Sequence, residues 1–554
     1  MKIHIPDPIL PRLILVLVTS LTAVVNVAEP YSPPLRQDYP DNLYWGDTHV
    51  HTYLSPDAYP LGSRVTPDEA YRFAKGETIV ASGGDKVRLQ RPLDFLMVSD
   101  HAENMGVMPR LAAGDPRLLK TKDGQRNFKI LSKLPTLREM LKAKSLEEYQ
   151  TRYMALATAK AAKGGDYGID TDFRREVWEG VVDIAEKHNE PGKFTTFAGY
   201  EYSSSTPSML HRNVMYVGGP THTRAWLPFS SYDSKNPEDL WSHLERYRKE
   251  SGSDVIAIPH NSNLSNGQQF NTVTYHGKPL TRDYASTKSS IEPIMEVTQF
   301  KGDSETHPLI SPNDEFADFE SLREPKTEEI ARQSYARGAL KTGLEFAVKL
   351  GVNPYKLGMI GSTDTHQGLA TADEDNLADS GPYRYISRLQ FSASGYAAVW
   401  ARKNTREAIF SAMKRREVYA TTGPRITLRF FGGWNFESND AFDPHLAEIG
   451  YRNGVPMGGD LVQTGASSEA PTFLLHAVKD PVGANLDRIQ IIKGWRDIKG
   501  RLHEKIHDVA WSGDRSIGKD DKLPAVGSSV DVKTASYLNS IGSHSLSTTW
   551  TDPD

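Results

Sequence analysis

YWGDTHVHTYLSPDAY, residues 44–59, places His49 and His51 one residue apart and Asp57 six residues after the second histidine. Alternate residues of a strand point to the same face, so two neutral imidazoles at this spacing can bind one metal ion. The pattern is also compatible with a polar loop that carries two incidental histidines. A metal centre needs further ligands, and the rest of the chain therefore decides between the two interpretations.

The composition predicts a soluble globular protein, because 38% of the 554 residues are hydrophobic and 24% are charged. A chain of this length accommodates about two to three domains, or a barrel with insertions. The net charge of -5 gives no indication of a nucleic-acid partner. Cysteine is absent, which excludes thiolate metal sites, cysteine nucleophiles and disulfides. Any metal ligands must therefore be His, Asp or Glu.

Residues 1–28 have the pattern of a signal peptide. Lys2 and Arg12 precede an apolar run from Leu13 to Val25, and a cleavage site is predicted after Ala28. The apolar run is too short to span a bilayer comfortably. We expect an exported protein, periplasmic or extracellular, with no membrane span after signal removal; an uncleaved N-terminal anchor is the alternative.

Several short apolar runs end abruptly in polar residues of the kinds that bind metals. Such near-continuous runs are typical of parallel strands buried on both faces. Helical patterns lie between them, at residues 171–189 and 332–351. Strands alternating with helices predict a parallel α/β architecture, whose active sites form at the carboxyl ends of the strands. The runs are PLDFLMVSDH (92–101), FTTFAGYEY (194–202), DVIAIPHN (254–261), IMEVTQF (294–300) and LGMIGSTDTH (357–366).

The alternating part covers residues 40–430. Two regions differ from it in composition and in the pattern of predicted elements. Residues 105–190 are lysine-rich and helical, and we interpret them as an insertion that is either a cap over the site or a solvated decoration. Residues 431–554 have short alternating strands among Gly, Asn and Asp, which predicts a small β-rich C-terminal region.

Metal-type side chains end nearly every apolar run of the first 370 residues. Without thiolates, a set of His and carboxylate ligands suits Zn, Mn or Fe, and shared carboxylates allow such ions to cluster. The residues concerned are His49, His51, Asp57, Asp100, His101, Glu201, His211, His260, Asp364 and His366.

The order HxH, SDH, Glu, His, His and DTH resembles the polymerase and histidinol phosphatase (PHP) superfamily. More closely, YWGDTHVHTYLSPDA, LMVSDHAENMG, LHRNVMY, IPHNSN, IGSTDTH and VYATTGPR resemble the domain-of-unknown-function 3604 family, a secreted bacterial branch of it. The resemblance covers about residues 40–554. It implies a distorted (β/α)7 barrel and a trinuclear metal site that hydrolyses phosphoesters.

The resemblance also implies roles for nine residues. His49, His51, Glu201 and Asp364 would hold a first metal ion. Glu201 would bridge to a second ion, also held by His211 and His260, and Asp57, His101 and His366 would hold a third. Family members continue beyond TWTDPD, so the C-terminal region is expected to be incomplete.

Other residues near the predicted rim have weaker assignments. Arg212 and Lys301 are candidate substrate contacts, although Arg212 can equally point out of the barrel. Asp100 either orients His101 or caps its turn, and Asp47 is expected to pack behind the ligands. The remaining candidates are Glu296, Asp303 and His307 as substrate contacts, and Thr421, Thr422 and Gly423 as an anion-binding or purely structural turn.

The leading hypothesis is a metal-dependent hydrolase, most simply a phosphoesterase that uses metal-bound hydroxide as nucleophile, with two or three divalent ions and a small-molecule substrate. Hydrolysis of amide, carboxylic ester or sulfate ester bonds is the second hypothesis. A non-catalytic secreted protein that binds metal or ligand is the third. The other histidines are predicted to be surface or core residues: His188, His222, His243, His445, His476, His503, His507 and His544.

Overall fold

The computed structural model describes residues 38–134, 164–205, 208–372, 394–463, 470–519, 522–534 and 536–553, together with a few positions between 139 and 151. The predicted signal peptide lies outside these residues. Within the described part of the chain, no helix is long and apolar enough to cross a membrane.

The strands fall into two groups along the chain. The first comprises β1 (Asn42–Val50), β2 (Ile79–Val80), β3 (Lys86–Val87), β4 (Phe95–Val98), β5 (Thr195–Ser204), β6 (Leu210–Tyr216), β7 (Val255–Pro259), β8 (Ile294–Gln299), β9 (Gly302–Asp303), β10 (Gly358–Gly361), β11 (Tyr396–Ala401) and β12 (Val418–Thr421). The second comprises β13 (Thr427–Gly433), β14 (Gly454–Pro456), β15 (Thr472–Val478), β16 (Arg488–Arg496), β17 (Leu502–Trp511), β18 (Val530–Asp531), β19 (Ser536–Tyr537) and β20 (Ser545–Thr551).

All the helices below except the last, α11, lie among the strands of the first group. The helices are α1 (Pro67–Ala74), α2 (Val107–Ala112), α3 (Lys122–Leu131), α4 (Thr171–His188), α5 (Pro220–Thr223), α6 (Pro237–Ser251), α7 (Arg282–Ile291), α8 (Glu328–Arg332), α9 (Ala336–Leu350), α10 (Arg406–Arg415) and α11 (Leu446–Asn453). The two helices predicted from periodicity are confirmed as α4 and α9. Helix α9 ends at Gly351, whose φ of 73° is the left-handed C-cap conformation that glycine favours.

The main sheet has seven strands in the order β12-β11-β1-β4-β5-β6-β7. Strand β1 is parallel to β4, and β4 to β5, whereas β6 is antiparallel to both β5 and β7. The predicted parallel architecture is therefore present only in part, as β1, β4 and β5, within a mixed sheet. Strands β5 and β6 are joined by residues 205–209, and so short a connection permits only an antiparallel return.

A second sheet, β10-β8-β9, lies against the ends of the first. Strands β8 and β10 are parallel, β8 contacts β7, and β10 contacts β11 and β12. The main sheet thus curls into a half-barrel. Of the predicted distorted (β/α)7 barrel, the structure shows a mixed α/β fold with this curled sheet.

Helix α4 packs on β5 and on α1, with Trp178 fully buried against Tyr200 and Tyr216. This helix ends the predicted insertion, 105–190, and it belongs to the core of the main fold. Most residues between 135 and 163 lie outside the described residues, and the cap role stays a prediction.

The C-terminal part is rich in β structure, as the alternating pattern predicts. Strands β14, β13, β15 and β20 form one antiparallel sheet, and β16 and β17 form a long hairpin. An ion pair at 2.6 Å between Arg91 and Asp480 ties this region to the α/β part. The boundary at residue 431 stays a prediction.

Candidate metal centre

The two histidines of the HxH motif lie at the end of strand β1, with their rings in the interior of the half-barrel. His49 and His51 are each 1% exposed, and their Nε2 atoms lie 3.1 Å apart. The convergence that the spacing predicts is therefore present. A polar loop with incidental histidines would not bury both rings.

Two carboxylates meet these rings from other elements. Asp364, which follows β10, places Oδ1 3.1 Å from Nε2 of His49 and 3.2 Å from Nε2 of His51. Glu201, on β5, places Oε2 3.1 Å from Nε2 of His51. Neither carboxylate oxygen forms a hydrogen bond, although both are buried. Donor lone pairs from four side chains thus face one small volume, as the first predicted ligand set requires.

The other oxygen of Glu201 faces a second group of histidines. Oε1 lies 2.6 Å from Nδ1 of His211 on β6 and 3.1 Å from Nε2 of His260, which directly follows β7. These three residues could hold a metal ion. Oε2 faces His49, His51 and His101, whereas Oε1 faces His211 and His260, so Glu201 could contribute to more than one metal site.

The third predicted set also comes together. Oδ2 of Asp57 lies 3.3 Å from Nε2 of His101 and 3.6 Å from Nε2 of His366. The ring of His51 lies against both, with centroid distances of 4.5 Å to His101 and 4.3 Å to His366. His51, His101 and His366 could together hold an ion, so His51 is placed between the first and third sets.

Burial and charge act in opposite directions on these groups. Burial opposes ionisation of Glu201, yet His101, His211 and His260 lower its pKa well below its usual value. Burial likewise opposes ionisation of Asp364, whose pKa is held well below its usual value by His49 and Lys301. Burial lowers the pKa of His101 to about 4. Burial opposes protonation of His51, yet Asp364 and Glu201 raise its pKa to about 9, so this imidazole would release a proton on binding a metal ion.

Two aspartates beside the ligands hold backbone segments in place. Asp100 accepts hydrogen bonds from the amide and hydroxyl of Thr52, at 2.6 and 2.7 Å, so it caps the turn after HxH. Asp47 accepts from the amide of His49 at 2.9 Å and from the hydroxyl of Thr363 at 2.5 Å. Asp47 thereby joins the two segments that carry HxH and DTH.

Glu296 is the residue whose position sequence reasoning missed. Predicted to be a substrate contact, it is 1% exposed, and its carboxylate oxygens lie 3.0 and 3.1 Å from Nδ1 of His49. It also forms, with His49 and His260, a group that could hold an ion. A carboxylate in the middle of the buried run IMEVTQ was the signal, because such a charge needs a partner.

The predicted substrate contacts are placed in different surroundings. Lys301 is half-buried and forms an ion pair with Oδ2 of Asp364, at the edge of the metal-type ligands. Arg212 is buried on the opposite face of β6 from His211, where its Nε donates to Glu292 at 2.9 Å. This matches the alternative in which Arg212 points away from the centre.

The remaining rim candidates show no ligand-type geometry. His307 pairs with Glu324 at 2.9 Å, and Asp303 accepts a hydrogen bond from the amide of Glu305 at 2.6 Å. Thr421 ends β12, and Gly423 has a φ of 123° with Ala372 too close for a side chain, so a structural turn accounts for this segment. Among the described residues, none of the eight histidines predicted to be surface or core residues joins a group that could hold a metal.

The comparisons with known proteins agree with the motif order. The family model described as "Protein of unknown function (DUF3604)" matches residues 38–554. The chain belongs to this family. The predicted resemblance is thereby confirmed. The DUF3604 chain is also 25% identical over 260 residues, 46% of its length, to an uncharacterized protein of Chlamydia pneumoniae, and this match spans 33% of that relative.

A solved structure similar to this DUF3604 chain is a two-domain protein from Bacteroides vulgatus. That protein contains a predicted PHP-like metal-dependent phosphoesterase. The match covers 87% of this chain and 94% of that chain, with 12% identity and a TM-score of 0.29.

Proposed function

We propose that this protein is a metal-dependent hydrolase of phosphoesters that acts on a small-molecule substrate. The observation that carries the proposal is the position of Glu201, whose two carboxylate oxygens face separate histidine groups within one buried centre. A carboxylate in that position joins two metal sites into a cluster. The proposed ligands are His49, His51, Asp57, His101, Glu201, His211, His260, Asp364 and His366.

The donor set fits two or three divalent ions of the Zn, Mn or Fe kind. It contains imidazole nitrogens and the carboxylates of Asp57, Glu201 and Asp364, and the chain has no cysteine. Buried oxygens of Glu201 and Asp364 have no hydrogen-bond donor. Unpaired buried carboxylate oxygens are costly, and a bound cation removes that cost.

When bound, such ions supply a water molecule of lowered pKa and positive charge for phosphoryl oxygens. The residues of the chain fix the geometry around them. Ser55 lies 2.7 Å from Nδ1 of His51, and Glu296 contacts Nδ1 of His49, so Nε2 of each ring is directed at the centre. Lys301 places an ammonium group beside Asp364, where it can neutralise a phosphoryl oxygen of the substrate.

The test is hydrolysis of four matched chromogenic esters by the purified protein, loaded with Mn or with Zn. We expect turnover of 4-nitrophenyl phosphate or bis(4-nitrophenyl) phosphate, and none of 4-nitrophenyl acetate or 4-nitrophenyl sulfate. The double variant His49→Ala, His366→Ala should lose at least about a hundredfold in rate, because each change removes a metal ligand. The matched control is His222→Ala, His445→Ala, two exposed histidines outside the centre.

The other outcomes separate the remaining hypotheses. Turnover of the acetate or sulfate ester, with no turnover of the phosphoesters, would mean that the same centre hydrolyses a different class of bond. Metal bound in the wild-type protein with no turnover of any ester would leave a metal-binding protein without hydrolase activity. Either result would overturn the phosphoesterase proposal.

We also propose that the protein is exported. The support is the sequence alone, with Lys2 and Arg12 preceding the apolar run from Leu13 to Val25. Cell fractionation and N-terminal sequencing test this proposal. A mature protein that begins at Glu29 in the periplasm or medium is expected, and intact protein in the cytoplasm would contradict it.

A further inference from the structure

A cavity of about 430 Å³ lies on the outer face of β6, away from the metal-type ligands. In the pairing of β5 with β6, His211 is opposite Ser203 and Arg212 is opposite Tyr202. Successive side chains of a strand point to opposite faces, so Arg212 faces away from Glu201 and His211. Arg212 lines the cavity together with Trp241 of α6. The cavity is therefore distinct from the site of the proposed hydrolysis.

One wall of the cavity carries a buried positive charge. Glu292 accepts hydrogen bonds from Nε of Arg212 at 2.9 Å, from Nε1 of Trp241 at 2.7 Å and from Nζ of Lys288 at 2.5 Å. Arg212, Lys288 and Glu292 are all at most 2% exposed. One buried carboxylate thus contacts both cations. Glu238, a second carboxylate that lines the cavity, is half-buried and accepts from the amide of Tyr275 at 2.6 Å.

Two side chains of the cavity wall present polar atoms that nothing in the described structure satisfies. Nη1 of Arg212 has no hydrogen-bond partner, and neither has Nε2 or Oε1 of Gln269. Gln269 is 3% exposed and also lines the cavity. Buried polar groups are almost always hydrogen-bonded, so a guanidinium and an amide left this way indicate a polar occupant.

Part of the wall is apolar and aromatic, and Gln268, Asn271 and Thr274 line the cavity beside that part. The rings of Trp241 and Tyr284 lie 5.2 Å apart at 72°, and Leu210 and Val273 complete this side. A flat apolar group packs well against such surfaces. The cavity volume is within the range of about 300–1,000 Å³ usual for small-molecule sites.

We propose that this cavity binds a small organic carboxylate with a flat apolar group. Its carboxylate accepts hydrogen bonds from Nη1 of Arg212 and the amide of Gln269, and its apolar part packs on Trp241 and Tyr284. The planar guanidinium of Arg212 matches the geometry of a carboxylate.

The test is isothermal titration calorimetry of the metal-loaded protein with benzoate and 3-phenylpropanoate. Benzamide and inorganic phosphate are the comparison probes, because the first lacks the charge and the second lacks the apolar group. The informative variant is Gln269→Met, which keeps the length of the side chain and removes no hydrogen bond of the protein side chain. The matched control is Gln125→Met, an exposed glutamine of α3.

We expect the wild-type protein to bind at least one of the two carboxylates saturably and not to bind benzamide. That carboxylate should bind at least tenfold more weakly to Gln269→Met and with unchanged affinity to Gln125→Met. Equal carboxylate affinity in wild type and Gln269→Met would place the carboxylate elsewhere, for example on the bound metal ions, and would overturn the proposal. Absence of saturable binding, or binding of phosphate at this cavity in place of both carboxylates, would overturn it as well.

Discussion

The carboxylate of Glu296 lies 3.0 Å from Nδ1 of His49, while Nε2 of the same ring lies 3.1 Å from Oδ1 of Asp364. Glu296 therefore favours the tautomer in which Nδ1 donates a proton to the carboxylate and Nε2 keeps its lone pair. A hydrogen bond of this kind fixes the orientation of a metal-binding imidazole and increases its basicity. The pair joins β8 to the HxH motif of β1.

Replacement of Glu296 with Gln is expected to weaken metal binding about 10- to 100-fold, because the amide does not increase the basicity of His49 as a carboxylate does. Competition with a chromophoric chelator measures the affinity. Glu417→Gln is the matched control, since Glu417 is also buried but contacts Arg415 and Tyr451 outside the centre. Equal affinities for wild type and Glu296→Gln would mean that the contact does not tune the metal site.

Asp57 and Glu201 should differ in how many ions their loss removes. Asp57 faces His101 and His366, whereas Glu201 contacts histidines of all three proposed sets. We expect Asp57→Asn to lose about one ion per chain and Glu201→Gln to lose about two or more, since a bridging ligand serves more than one site. Elemental analysis after gel filtration gives these numbers. The same loss in both variants would contradict the bridging assignment of Glu201.

Removal of the metal ions should destabilise the folded protein. The proposed ligands come together only in the folded state, so each bound ion at 100 times its dissociation constant would add about 2.7 kcal/mol to the free energy of unfolding. A lower Tm after treatment with a chelator, restored by Mn or Zn, is the expected result. The double variant His49→Ala, His366→Ala serves as the control, and its Tm should respond much less to the chelator. An unchanged Tm in the wild-type protein would argue against tight metal binding.

Several histidines and carboxylates of the centre could be predicted because they end apolar runs, and such ends meet at one edge of an α/β sheet. The runs ending at His101, Glu201 and His260 correspond to β4, β5 and β7. The pairing of the strands was harder to predict from the sequence. The register that places Asn42 opposite Ala401 depends on tertiary packing between segments far apart in the chain, which local periodicity does not encode.

Arg212 has the outward position that was one of its two predicted alternatives, and Glu296 was misplaced; each position has a physical reason. Arg212 follows a ligand histidine on the same strand, and the two-residue period of strands turns it to the other face. Once His211 was predicted to be a ligand, this period could have been used to place Arg212 on the opposite face. The partner of Glu296 lies 247 residues away in the chain, so only the curled sheet brings the two side chains together.

Glu292 provides a last prediction, on stability and pH. Burial by itself would raise the pKa of Glu292, but Lys288 and Arg212 lower it to about 2. A carboxylate with a depressed pKa stabilises the fold above its unfolded pKa, which is about 4.5, and this contribution is lost as the pH falls toward 2. Glu292→Gln should therefore reduce the free energy of unfolding by about 3–5 kcal/mol at pH 7, because it leaves two buried cations without their partner.

Urea denaturation of both proteins at pH 7 and at pH 3 checks this expectation. The difference between wild type and Glu292→Gln should be smaller at pH 3, since below about pH 4.5 the unfolded wild-type chain takes up a proton at Glu292 that the folded protein does not. Glu245→Gln is the control, because this exposed carboxylate accepts a hydrogen bond from Thr287 across the same pair of helices. It should change stability by less than about 1 kcal/mol at either pH. A difference between wild type and Glu292→Gln that is independent of pH would show that packing, and not charge, makes Glu292 important.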